Sequence, residues 1–78
     1  MKLTYDPKAN AAYIRLREHQ GDVETLEITA DFLVDIDGSG KVCGIELLNA
    51  NEQLRSGDDG RFVFENPLSG EVSELKVA

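Results

Sequence analysis

Asp35, Asp37, Ser39 and Glu46 stand at the first, third, fifth and twelfth positions of the stretch DIDGSGKVCGIE, with Gly40 at the sixth. This is the ligand spacing of a calcium-binding EF-hand loop. Such a loop takes oxygen donors at positions 1, 3 and 5, a sharp turn at 6 and a bidentate Glu at 12. Val42 supplies the apolar residue at position 8. Three carboxylates at this spacing have the hardness and the reach to wrap a divalent cation.

The flanks argue for something else. An EF-hand loop joins two helices, whereas DFLVDID alternates apolar and polar residues and is rich in β-favouring types. Gly44 would fall close to the start of the exiting helix and weaken it. Read as a hairpin, DGSG supplies turn residues that accept positive φ, and Lys41 resumes the partner strand. Glu46 then lies several residues along that strand, too far to close a shell around one ion. EF-hands also usually come in pairs, and the sequence holds no second loop. The hairpin is the preferred reading. Cation binding through Asp35, Asp37, Ser39 and Glu46 is the alternative to it.

The remaining reactive residues carry weaker signals. His19 sits in the turn-like EHQGD without a Ser or Cys partner nearby in sequence, as a solvated turn residue does. Cys43 falls on the apolar-face parity with Val42 and Ile45 as neighbours, and a nucleophilic thiol needs a basic microenvironment, so it reads as a small core residue. Asp6, Asn10, Asp35, Asp37 and Glu46 could gather at one sheet end as a metal site or carboxylate pair. A solvated face paired with Arg15 and Arg17 is the simpler expectation, each cross-strand pair contributing about 0.2–1 kcal/mol. No catalytic residue and no cofactor site is assigned, and the chain is expected not to be an enzyme.

Turn signals frame the elements that must position these residues. Asp6-Pro7, Gly21-Asp22, DGSG at 37–40, SGDDG at 56–60 and NPLSG at 66–70 punctuate the chain at short intervals. Between them lie alternating segments read as strands near 2–5, 12–18, 23–29, 31–37 and 41–48, with weaker ones near 61–65 and 71–77. Connections this short exclude parallel crossovers, and an antiparallel meander is predicted. Parity puts Ile14, Leu16, Leu26, Ile28, Phe32, Val34, Ile36, Cys43, Ile45 and Leu47 on one face. Tyr13, Arg15, Arg17, Thr25, Glu27, Asp35, Asp37, Val42, Gly44 and Glu46 fall on the other. One apolar and one charged face suit a sheet that covers a core on one side. Residues 49–55, NANEQLR, are expected to form a short helix with Asn49 as N-cap and Glu52 at N3. That helix, the FVF hairpin or a second subunit would have to cover the apolar face.

The 78 residues make one domain at most. With 41% hydrophobic residues the chain is too apolar to be disordered, yet its core must be thin. A sheet this small can complete itself as a homodimer. Fifteen acidic against eight basic residues give a net charge of −7, which argues against nucleic acid or an anionic membrane as direct partner. Cys43 is the sole cysteine, which excludes a disulfide scaffold within the chain. No signal-peptide core and no apolar run of membrane-spanning length appears, so a cytoplasmic protein is expected.

The opening MKLTYDPKANAAYIRLRE and the later FLVDIDGSGKVCGIELLNA resemble the small bacterial "domain of unknown function 2283" family over roughly residues 1 to 50. The shared pieces are Tyr5-Asp6-Pro7, Ala9-Asn10-Ala11, Tyr13-Ile14-Arg15-Leu16, Val34-Asp35-Ile36-Asp37 and Gly44-Ile45-Glu46. Asn10 replaces the family's usual Asp and Cys43 a usual apolar residue. The resemblance implies a compact, mainly antiparallel β domain and implies no activity. The expectation is thus a mainly β, α+β fold: an antiparallel meander of four to six short strands with at most one short helix. Residues 51–78 form a C-terminal extension of the same single domain. Functionally it is a non-enzymatic protein-interaction module, with neutralisation of a small basic protein, as an antitoxin does, as a further alternative.

Overall fold

The computed structural model describes residues 1–55, 57 and 59–77. Seven strands and one helix follow in the order β1 (Lys2–Asp6), β2 (Ala11–Arg15), β3 (Glu24–Thr29), β4 (Phe32–Ile36), β5 (Val42–Leu48), α1 (Ala50–Arg55), β6 (Arg61–Asn66) and β7 (Glu71–Lys76). The fold is mainly β and antiparallel throughout, as the alternation requires. Five strands form one sheet and β6–β7 form a separate hairpin. Of the SGDDG turn, Ser56 and Asp58 lie outside the described residues.

The main sheet runs β1-β2-β5-β4-β3, which departs from a simple meander at one step. The chain leaves β2, passes the ends of β5 and β4, and enters the sheet again at its far edge as β3. The strands β3, β4 and β5 then wind back until β5 pairs with β2. Pairing of β2 with β5 is therefore the long-range contact that closes the sheet. The crossover is tied down midway, where the Gly38 amide donates to the Gln20 carbonyl at 2.8 Å.

Register converts the sequence alternation into two faces. Leu3, Ile14, Ile45, Val34 and Leu26 stand in one row across all five strands, and Tyr5, Ala12, Leu47 and Phe32 in the next. Two bulges revise the parity assignment. At the first, the register steps from Asp35↔Gly44 to Ile36↔Val42, so Cys43 is the extra residue and Val42 stands opposite Ile36 instead of on the charged face. At the second, Ile28 is the extra residue, and it is 58% exposed instead of joining the apolar row. Bulges of this kind bend the strand and strengthen its twist.

The helix sits where predicted, but its N-terminus is held differently. Asn49 has a φ of 53° and its side-chain amide donates to Glu52 Oε2 at 2.9 Å. The acceptor for the first helical amides is Asn10, in the β1–β2 turn. Its carbonyl takes the Ala50 amide at 3.0 Å and its Oδ1 takes the Asn51 amide at 2.7 Å. Asn10 also donates from Nδ2 to Asn49 Oδ1 at 3.3 Å while holding a φ of 54°. Asn accepts this left-handed conformation more readily than most residues, and an adjoining Asx turn, with Asp6 Oδ1 accepting from Lys8 and Ala9, shapes the approach. Tyr5, on the apolar face, donates its hydroxyl to Asn51 Oδ1, which places α1 at that end of the face.

Replacing Asn10→Ala removes an acceptor and a left-handed preference together. Urea unfolding is expected to show a loss of about 1–2 kcal/mol, while Asn10→Asp, which keeps the acceptor, loses less than half of that. Equal losses in the two variants would refute the role assigned to Oδ1.

Candidate functional site

The polar face of the sheet is organised by Asp35. In the register row Arg15–Gly44–Asp35–Thr25, this carboxylate lies between β5 and β3. Its Oδ2 accepts from the Tyr13 hydroxyl at 2.8 Å and its Oδ1 from Thr25 Oγ1 at 2.7 Å. Tyr13 belongs to β2, so its ring must cross β5 to reach β4. It does so directly over Gly44, where a Cβ would stand 1.9 Å from the Tyr13 oxygen and 2.4 Å from Cζ. A strand-interior glycine often marks such a close approach. Burial first, and the hydrogen bond to Asp35 second, push the Tyr13 hydroxyl up to about 12. The phenol is thus a persistent donor.

Asp37 does different work at the β4–β5 turn. It is buried, and Oδ1 accepts from the Ser39 amide at 2.9 Å, Ser39 Oγ at 2.5 Å and, at 3.4 Å, the Lys41 amide. Its Oδ2 accepts from the Gln20 amide of the crossover at 3.1 Å. The Ser39 hydroxyl is the largest influence, joined by the three backbone donors and opposed by burial, and together they hold the Asp37 carboxyl at about 2. Gly40, with a φ of 83°, completes the turn.

The EF-like stretch is therefore a hairpin, flanked by β4 and β5. Asp35 and Asp37 both face internal donors, and Ser39 donates to Asp37. Glu46 stands opposite Tyr13 and Leu33 along β5. Asp6 and Asn10 lie at the far end of the sheet, beside Leu48, so the five residues do not converge. Among the described residues no three His, Cys, Asp or Glu side chains cluster as an ion would need. The expected pairing with arginines is also different: Arg15 bridges to Glu18 at 3.0 Å on an exposed surface, and Asp35 is met by hydroxyls. His19 is exposed, with Nδ1 3.0 Å from the Gly21 carbonyl. Cys43 is buried, its Sγ donating to the Asp35 carbonyl at 3.5 Å.

Residues 2–51 match the family described as "Protein of unknown function (DUF2283)". The chain belongs to this family. The match ends just inside α1, so the family segment comprises the whole five-stranded sheet and the Asn10–Asn51 junction, and leaves the β6–β7 hairpin outside it. Neither the curated proteins nor the solved structures contain a match to the chain.

Sequence reasoning picked out Asp35, Asp37 and Gly44 for their motif positions and missed Thr25, Gln20 and the Tyr13–Gly44 contact. A glycine interrupting an otherwise β-favouring strand, GIELL after VC, was the available signal for the last.

Gly44→Ala overpacks against the Tyr13 ring and is expected to cost about 2–3 kcal/mol in urea unfolding. In a Tyr13→Ala background the same change costs under about 0.5 kcal/mol, because the clash is gone. Additive costs would reject the contact. Asp37 titrates lower in the folded chain than its ordinary 3.8, so its stabilisation is complete above that value and is lost as pH falls through about 2. Acid unfolding followed by circular dichroism should show this dependence between pH 4 and 2, and Asp37→Asn should flatten it; an unchanged slope would contradict the assignment.

Proposed function

We propose that the protein is a non-enzymatic protein-interaction module that works through the apolar face of its five-stranded sheet. The observation that carries this reading is how little of that face the chain covers. Buried apolar residues among those described are Ala12, Cys43 and Ala50, and no large side chain is fully buried. Domains normally pack a second layer on an apolar sheet face. Here α1 sits at one end, near Tyr5 and Ala12, and Leu26 in the central row remains 39% exposed. Along the same rows Leu3, Ile14, Ile45, Val34, Tyr5, Leu47 and Phe32 are only half-buried, and an apolar sheet face left part-open in this way is suited to contact with another macromolecule. Among the described residues no helix is long and apolar enough to cross a membrane, and the net charge of −7 favours a protein partner over nucleic acid. Cation binding by Asp35, Asp37, Ser39 and Glu46 is supported less, since Asp35 and Asp37 already take internal hydrogen bonds.

Affinity capture of the tagged full chain from cells of its source tests the reading. The wild type is expected to elute with a stoichiometric protein, either its own untagged copy or another chain. Leu26→Lys, on the apolar row, is expected to elute alone with an unchanged circular dichroism spectrum. If both elute alone, or both keep the bound protein, the apolar face is not the working surface.

A further inference from the structure

Resting on the interaction reading, we propose that the occupant of the apolar sheet face is a second copy of this chain, whose β6–β7 hairpin packs on it in a reciprocal exchange. Three observations lead there. The first is area. The chain exposes 5608 Å² for 8.6 kDa, whereas a compact monomer of that mass exposes about 4,700 Å². The excess of about 900 Å² compares with the roughly 800 Å² that each partner buries in a standard stable interface. The radius of gyration points the same way, at 14.0 Å against about 11.5 Å for a compact chain of this length.

The second observation is the hairpin itself. Every residue of β6 and β7 is exposed. Their register puts Phe62, Phe64 and Leu75 on one side of the ribbon, with exposures of 44%, 50% and 60%. Arg61, Glu65, Glu74 and Lys76 lie on the other side with Val63 and Val72, and there Arg61 and Glu74 bridge at 3.6 Å. An isolated two-stranded ribbon is marginal in water, and it becomes stable when its apolar side packs on another layer. The chain thus carries a sheet face lacking a cover and an apolar ribbon lacking a base.

The third observation is charge. Two chains of −7 each repel unless their contact excludes the carboxylates. The rows Leu3–Ile14–Ile45–Val34–Leu26 and Tyr5–Ala12–Leu47–Phe32 contain no charged residue. On the ribbon's apolar side the charge is confined to Glu71, at the tip beside Asn66. The charges on the two faces, Glu24 opposite Ile36 on the sheet and Glu71 on the ribbon, stand at their margins, so one chain holds both halves of a mainly apolar interface, and a two-fold axis lets each half meet its complement.

Sedimentation equilibrium of the purified full chain alone, from 1 to 200 μM, tests this. The expected mass is twice 8.6 kDa for the wild type and 8.6 kDa for Phe62→Glu/Phe64→Glu, which leaves β1–β5 untouched. A second measurement does not depend on the variant's folding. In a mixture of isotope-labelled and unlabelled wild type, filtered NOEs should connect the Phe62 and Phe64 rings of one copy to Val34 and Leu26 methyls of the other. A wild-type monomer at all concentrations overturns the proposal, and so does a dimer without those NOEs. If the purified chain is monomeric while a Leu26→Lys-sensitive complex forms in cell extract, self-association is wrong and the interaction reading stands. If neither forms, both fall.

Discussion

The Tyr13 ring lying across Gly44 to reach Asp35 is the contact on which the sheet's arrangement turns. It spans the pairing most distant in sequence: β2 from the first hairpin, β5 and β4 from the last, with Thr25 of β3 completing the chain of hydroxyl-to-carboxylate bonds. Two hydroxyls meet on this one carboxylate, the part-buried Tyr13 and the exposed Thr25. They also fix register, since sliding β5 by one residue would bring a side chain under the ring in place of Gly44.

At the same end of the sheet, the β4–β5 turn and the crossover hold each other. Asp37 gathers amides from Ser39, Lys41 and Gln20, and the Gly38 amide answers with a bond to the Gln20 carbonyl. The Cys43 bulge sits beside them, its carbonyl accepting from both Leu16 and Arg17. At the other end the Asn10–Asn49–Asn51 junction does the equivalent job for the helix. The carboxylates and amides of the family motif thus act first as joints of the architecture. The side chains of Asp6, Asn10, Asp35 and Asp37 are engaged within the chain.

The apolar face of the sheet and the β6–β7 ribbon present the same physical problem from opposite sides. A five-stranded sheet of Leu, Ile, Val and Phe gains most when its apolar rows leave water, at about 25 cal/mol per Å². A six-residue helix shields one end only. The hairpin, beyond the family-matched segment, brings two phenylalanines and a leucine on an edge-rich ribbon that cannot shield itself.

Much of this was legible in the sequence. Alternation and turn chemistry located all seven strands and the helix to within a few residues, because side-chain period and turn residues act locally. The family resemblance over residues 1–50 agrees with the matched span of 2–51. The hairpin identity of DIDGSGKVCGIE was also readable, from flanks that cannot be helices. Three things were decided only by the tertiary structure. Strand order placed β5 against β2, because pairing as distant as Ala11 with Leu48 leaves no local mark. The bulges at Ile28 and Cys43 moved Ile28 and Val42 away from their parity, because an extra residue in one strand is defined only by its partner. And the donors that meet Asp35, Asp37 and the helix amides came from Tyr13, Thr25, Gln20 and Asn10, residues distant in sequence that the fold brings within hydrogen-bond reach.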